Sequence, residues 1–348
     1  MTRERVMGWD IGGAHLKAAV LEGADNLRVH MEPCPLWKGV PELTRAMGRI
    51  LERTGSGVAH AVTMTGELVD HFPDRAQGVR AIVQAVRERL AEEAEPLFFA
   101  RDGGLLDAEG VLEAPEEVAS ANWRATAQAV ARSCPSALLV DIGSTTSDLV
   151  PLRAGSVAAA GDSDAARLRA GELLYTGAVR TPVMALGDRV PVAGAWVPLA
   201  AEWFATTADV HRLRGVLPEG ADLGPTADGA AADREGSARR LARMVGNDAE
   251  AGDPAPWERL AEYLAEMQLR DLLDAAYLVE GRLGLDRDAP VVGAGVGRFL
   301  ASAMAERLGR PYRDFKTLVA PGAYKAGPDP ADCAPAVSLA VLAKGAFE

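Results

Sequence analysis

The stretch Leu138-Leu139-Val140-Asp141-Ile142-Gly143-Ser144-Thr145-Thr146-Ser147-Asp148 decides how the rest of the chain is read. A short apolar run ends in an aspartate, passes a glycine and opens a string of hydroxyls. Leu149-Val150-Pro151 then resumes an apolar strand, the pattern of a buried hairpin. Its tip has the chemistry of an anion site. Gly143 permits a tight turn and close approach of a ligand, and Ser144, Thr145 and Thr146 offer hydroxyl and amide donors. Asp141 can hold a divalent cation that bridges phosphate oxygens. Near the N-terminus, Val6-Met7-Gly8-Trp9-Asp10-Ile11-Gly12-Gly13-Ala14-His15-Leu16-Lys17 repeats the plan before the apolar run Ala18-Ala19-Val20-Leu21. One Asp-x-Gly turn is a weak signal, because both residues are common in turns. Two of them, each closing one strand and opening another, predict a duplicated α/β domain with an inter-domain cleft.

The 348 residues suffice for two domains of ordinary size, and 48% hydrophobic with 25% charged residues is a globular composition. A net charge of −12 with no basic cluster argues against nucleic acid as a partner. Lysine occurs at five positions only, which draws attention to Lys17 beside the first turn. Cys34, Cys134 and Cys333 lack ligand-like spacing and read as buried thiols of a reducing cytoplasm. Residues 1–5 lead straight into a strand without a signal-peptide core, and no apolar run is long enough to span a bilayer, so a cytoplasmic protein without a membrane partner is expected.

Along the chain, residues 27–31 read as a third strand, and Val40, Leu43, Met47, Ile50 and Leu51 fall at helical spacing up to Gly55. Residues 58–64 form a buried strand that runs into Thr65-Gly66-Glu67, where an open α/β sheet places ligand-facing groups. A helix around residues 79–90, a strand at 96–100 and a helix over 115–133, with Asn122 and Trp123 inside it, complete the first half, residues 1–135. The second half, 136–334, continues from the central hairpin to a strand at 156–160. Glu172, Tyr175, Thr176 and Arg180 then fall in an irregular segment of the kind that contacts substrates. A hairpin up to Pro198 and an irregular stretch carrying His211 belong to insertions around 182–230. Helices at 234–245 and 257–283 precede Val291-Val292-Gly293-Ala294-Gly295-Val296-Gly297, a buried strand breaking into glycines before a helix. A small apolar helix within 335–348 suits packing back on the first half.

Paired Asp-x-Gly hairpins with a late Gly-x-Gly turn resemble the superfold shared by actin, heat-shock chaperone ATPases and sugar kinases. That implies duplicated ribonuclease H-like, actin-like ATPase domains. Within it the chain resembles the hydantoinase/oxoprolinase branch. More narrowly, Thr63-Met64-Thr65-Gly66-Glu67-Leu68-Val69-Asp70, Gly171-Glu172-Leu173-Leu174-Tyr175-Thr176-Gly177 and Thr207-Ala208-Asp209-Val210-His211-Arg212 are similar to small proteins of tetrahydromethanopterin-linked one-carbon metabolism. Archaeal members of that group are methanofuran synthases. The resemblance implies a transferase that joins an aminomethylfuran-methyl diphosphate to the phenol of a γ-glutamyl-tyramine, or a tyrosine-type acceptor in a methylofuran, and releases pyrophosphate.

On that reading Asp10 and Asp141 hold Mg²⁺, while Gly12, Gly13, Lys17, Gly143, Ser144, Thr145, Thr146, Gly293 and Gly295 bind phosphate. Thr65 joins Glu172, Tyr175, Thr176 and Arg180 as substrate contacts. His15, Glu67 and Asp148 are the candidate bases for a phenol whose unperturbed pKa is about 10. ATP is compatible with the fold but not required. An ATP-dependent kinase or amidohydrolase is the first alternative, and a non-enzymatic nucleotide switch the second.

Overall fold

The computed structural model describes residues 5–93, 95–250 and 253–347; the sequence reading of Met1 to Glu4 lies outside them. The chain divides into two compact units. One comprises the described parts of Met1–Ala137, Val150–Asp164 and Arg313–Glu348, the other Leu138–Leu149 and Ala165–Tyr312.

In the first unit, strands β1 (Arg5–Ile11), β2 (His15–Glu22) and β3 (Asn26–Pro33) form an antiparallel meander, with Asp10 opposite Lys17. Strand β4 (Ala59–Met64) lies parallel to β1 on its other side, in a register that sets Thr63 beside Asp10. The short strands β5 (Leu97–Phe99) and β6 (Leu105–Leu106) extend that edge, and a late strand, Tyr324–Ala326, extends the β3 edge. Strands β1 and β4 are buried on both faces, which is why they read as nearly unbroken apolar runs rather than as alternation. Met7, Trp9 and Ile11 pack with the apolar stripes of helices Pro41–Thr54 and Arg75–Arg89. The opposite face takes the C-terminal helix Ala334–Phe347, with Val6 and Ala59 packed beside Leu339 and Ala343. That helix lies so close to β1 that a Cβ on Gly8 would collide with the Ala336 carbonyl oxygen and come within 2.6 Å of the Ala340 nitrogen.

The second sheet begins with the hairpin of β7 (Ala137–Ile142) and β8 (Ser147–Arg153), followed by β9 (Ser156–Val157) and β10 (Leu173–Leu174). An inserted hairpin, β11 (Arg189–Val192) and β12 (Ala195–Pro198), stands apart from it. Strands β13 (Val291–Ala294) and β14 (Tyr312–Asp314) complete the order β10-β8-β7-β13-β14, with β9 on β8. Strand β13 runs parallel to β7, with Gly293 beside Val140 and Ala294 beside Asp141. Each sheet therefore has a central strand flanked by its own hairpin partner on one side and a later parallel strand on the other. That is one ribonuclease H-like plan used twice, the actin-like arrangement. The long helix Ala255–Leu283 serves two cores in the second unit. Its later residues, Leu269 to Val279, pack with the sheet, while Trp257, Leu260 and Leu264 join Val183, Val190 and Leu241 in a core of the inserted part.

Three elements differ from the sequence reading. The helix foreseen over 115–133 is broken into a short 3₁₀ turn, Pro115–Glu117, and a helix Asn122–Ser133, because Ser120 adopts a left-handed backbone with φ 52. The strand foreseen to residue 160 stops at Val157. Thr207–Leu213 is a helix, not an irregular stretch, and it starts with a capping box between Thr206 and Asp209.

The contact at Gly8 yields a stability prediction. Gly8→Ala should lower unfolding free energy by about 3 kcal/mol, the upper part of the range for over-packing, seen as a lower urea midpoint at unchanged slope. Gly281→Ala, in the long helix with open space around it, should be neutral or slightly stabilising.

Candidate functional site

In the first unit the turn between β1 and β2 is held by backbone bonds. The Gly12 amide donates to the His15 carbonyl at 3.0 Å, Leu36 N to Gly13 O at 3.0 Å, and Thr65 N to Ile11 O at 3.0 Å. Gly66 makes this possible, because a Cβ there would meet Leu36 Cδ2 at 2.7 Å and the Ile11 carbonyl oxygen at 3.1 Å. Thr65 and Glu67 are thereby brought against the first turn, at the carboxyl ends of β1 and β4. His15 starts β2 and closes the turn through its carbonyl, and Lys17 stands opposite Asp10.

Two buried carboxyls at this end have an oxygen that no hydrogen-bond donor reaches. Asp10 is 5% exposed and its Oδ1 lacks a partner. Burial pushes its carboxyl above the usual range, against the opposing effects of Lys17 and a hydrogen bond from Asn122. Glu67 is 1% exposed; its Oε1 accepts from Ser120 Oγ at 2.9 Å, while Oε2 has no partner. Burial pushes this carboxyl up as well. The Thr63 hydroxyl, beside Asp10 in the sheet, is also buried without a hydrogen bond. Ser120 Oγ lies 3.4 Å from Asp164 Oδ2, which takes Arg75 Nη2 at 2.7 Å. Buried polar atoms are nearly always satisfied, which makes the unsatisfied oxygens near the ends of β1 and β4 a candidate position for a ligand.

In the second unit the hairpin tip is fixed by the loop that follows β10. Gly143 N donates to Thr146 O at 2.9 Å, and Ala178 N to Gly143 O at 2.9 Å. The Ser144 carbonyl receives two amides, Val179 N at 3.1 Å and Arg180 N at 2.8 Å. Gly177 is the residue that permits this approach, since a Cβ there would lie 2.5 Å from the Ser144 carbonyl and the Thr145 nitrogen. Ser147 Oγ donates to the Thr176 carbonyl. Gln268 Nε2 reaches Thr176 Oγ1 at 3.0 Å and Gly177 O at 2.9 Å, and Gln268 Oε1 is in turn 2.9 Å from His211 Nε2. Thr207 Oγ1 adds a bond to Gly177 O at 2.8 Å.

The third turn is welded to the same place. Gly297 N donates to Ile142 O at 2.8 Å, and Gly295, with φ 78, leaves no room for a Cβ, which would lie 2.6 Å from Asp141 Oδ1. Gly293 instead makes room for Tyr312, whose hydroxyl would be 2.5 Å from a Cβ there, so its role is packing and not a phosphate contact.

Several residues foreseen as site groups are occupied otherwise. Asp148 Oδ1 lies 2.7 Å from Nη1 of Arg167, whose side chain is 1% exposed, and a base at Asp148 would have to break that ion pair. Glu172 is fully buried with Oε1 3.0 Å from Arg282 Nη2, which makes it a clamp on the long helix, out of a substrate's reach. Thr176 is buried with its hydroxyl on Gln268, whereas Tyr175 and Arg180 are exposed. Among the described residues no group of three or more His, Cys, Asp or Glu is placed to hold a metal ion. The sequence reading missed Thr63, Ser120, Asn122 and Gln268. Gln268 carries a legible signal, a polar side chain on the buried stripe between Leu264 and Leu272.

Two ribonuclease H-like sheets, each with a tight Asp-x-Gly turn at the end of its central strand, define a protein of the actin-like ATPase fold. The chain belongs to the hydantoinase/oxoprolinase family, whose model matches residues 59–326. It is 34% identical over 247 residues, 70% of this chain and 72% of the relative, to (4-{4-[2-(gamma-L-glutamylamino)ethyl]phenoxymethyl}furan-2-yl)methanamine synthase of Methanocaldococcus jannaschii. A protein of the same name from Methanococcus vannielii is 34% identical over 111 residues, 32% of this chain and 50% of the relative. Among solved structures, nucleotide-free acetone carboxylase shares the fold with a TM-score of 0.60 at 12% identity, over 97% of this chain and 70% of that one. Among the described residues no helix is long and apolar enough to cross a membrane.

Burial lowers the pKa of His211 from 6.5 to about 4, so the folded protein holds the imidazole neutral. Between those values the unfolded chain binds more protons, and stability falls as pH drops from 6.5 toward 4. The shift corresponds to about 3 kcal/mol. Urea unfolding of wild type and His211→Gln at pH 7 and pH 4 should show their stability difference shrinking by about that amount on acidification.

Proposed function

We propose that this chain is an enzyme of furan-cofactor assembly, a transferase that joins an aminomethylfuran-methyl diphosphate to the phenol of a γ-glutamyl-tyramine or tyrosine-type acceptor. The phenol oxygen bonds to the furan-bearing methylene, the carbon–oxygen bond to the diphosphate breaks, the phenolic proton goes to a base and pyrophosphate leaves. The observation that carries the reading is 34% identity running through 70% of the chain to a synthase whose named product contains that phenoxymethyl-furan ether and a methanamine.

The chain's own chemistry supports it. In the second unit, amides and hydroxyls of Gly143 to Thr146 would hold the diphosphate and take up the charge that develops on it; in the first unit, Gly12, Gly13 and Lys17 offer the same chemistry. Mg²⁺ fits this donor set. The buried Asp10 Oδ1 has no hydrogen-bond partner among the described residues, and a carboxylate oxygen suits an ion that keeps several waters and shares phosphate oxygens. Asp10 would hold such an ion in the first unit and Asp141 in the second, and a bound ion would supply neutralisation of the diphosphate. Of the three candidate bases Glu67 suits best, with a buried oxygen that has no partner among the described residues and a carboxyl that burial makes more basic. Thr65 would contact substrate beside it.

Purified protein incubated with Mg²⁺, the furan diphosphate and γ-glutamyltyramine, without ATP, should release pyrophosphate and yield the ether by mass spectrometry. Glu67→Gln should lower kcat by about 10²-fold or more with a small change in KM. Absence of ether, together with ATP hydrolysis stimulated by another small molecule, would replace this reading with the kinase or amidohydrolase one.

A further inference from the structure

The segment 170–177 is tied to the long helix at two points. At one end Arg282 Nη1 donates to the Ala170 carbonyl at 2.6 Å and Nη2 to Glu172 Oε1 at 3.0 Å. At the other, Gln268 holds Thr176 and Gly177. Between positions 268 and 282 the residues Asp271, Asp274, Ala275 and Leu278 recur at three- and four-residue spacing, one face of the helix. The clamps leave Asp271, Asp274 and Leu278 exposed on that face, with Ala275 buried between them. The result is a groove of about 460 Å³, within the size range of small-molecule sites.

Its walls are apolar and its charge is of one sign. Leu168, Tyr175 and Leu278 line it, and they are 45%, 57% and 60% exposed, three large apolar side chains left uncovered around one concavity. Lysine and arginine are absent from the lining. Asp274 is paired with Arg270. Asp271 makes no hydrogen bond or ion pair among the described residues, and partial burial and the nearby Asp274 push its carboxyl up. An apolar trough beside a carboxylate lacking a counter-charge is suited to a flat ring that carries a cation.

Thr176 links this groove to the hairpin tip. It lines the groove, and its carbonyl takes the hydroxyl of Ser147 at the start of β8. A carboxylate, apolar walls and a turn rich in donors thus follow one another within the second unit.

We propose that the groove between residues 168–176 and the long helix binds an aromatic ring bearing a primary ammonium group, with Asp271 as its counter-charge. In the transfer reaction, on whose assignment the identity of the ring rests, the occupant is the aminomethylfuran part of the donor, with its diphosphate toward residues 143–146.

The test uses the full-length protein and furfurylamine as probe, with furfuryl alcohol as the neutral control, titrated by calorimetry or ligand-observed NMR. The amine should bind about tenfold more tightly than the alcohol, as a charge-assisted hydrogen bond gives. Asp271→Asn should remove that difference, and Leu278→Trp, which fills the groove from an exposed position, should weaken both ligands. Unchanged thermal unfolding of each variant verifies the fold. Equal binding of amine and alcohol, or amine affinity unaffected by either substitution, overturns the proposal. The ether-forming assay separates the two readings. Asp271-dependent amine binding without ether formation keeps the groove and removes the synthase assignment; ether formation with Asp271-independent amine binding does the reverse.

Discussion

The close approach of backbone to backbone at Gly177 is the constraint on which the second unit's site depends. A Cβ at that position would sit 2.5 Å from the Ser144 carbonyl, the group that receives the amides of Val179 and Arg180. Those main-chain bonds fix the tip 143–146. Gly295 against Asp141, and Gly66 against Ile11 in the first unit, act in the same way. A turn held by backbone contacts has little freedom to lose when an anion binds, and such preorganisation is where electrostatic stabilisation of a leaving group gains its strength.

Around the Gly177 carbonyl, polar side chains from three elements converge. Thr181, Thr207 and Gln268 all reach it, and His211 in turn holds Gln268. Each of these side chains is buried, so each hydrogen bond is one that would be expensive to lose. His211, with its nitrogen on Gln268 and its ring edge-on to Phe299, belongs to this support and not to the chemistry.

Much of the fold was legible because the decisive signals are local. An apolar run ending in Asp-x-Gly specifies a strand and a tight turn, and two copies specify a duplication, whatever the side chains around them do. Asp10, near the end of β1, and Glu67, in the turn that follows β4, stand out by the same local pattern, a buried strand running into polar residues. What escaped notice depends on partners distant in sequence. Asp148 looked available until Arg167 was placed beside it, and Glu172 until Arg282 was. Ser120 interrupts a helical pattern by adopting positive φ, which no propensity of serine announces, and that break allows its hydroxyl to reach Glu67 and gives Asn122 a helix start instead of a helix interior. The helix at Thr207 was a different kind of miss, since its Thr-x-x-Asp cap was in plain view.

Asp10 and Glu67 each bury an oxygen that no hydrogen-bond donor among the described residues satisfies, at a typical penalty of about 1–3 kcal/mol per group. A sequence shaped only for robustness would replace them with isosteric apolar residues or supply donors. Their presence is a cost that packing alone would not impose. Any programme that ranks substitutions by thermal resistance will be drawn to these two positions, where the folded state carries a penalty that a different side chain would relieve.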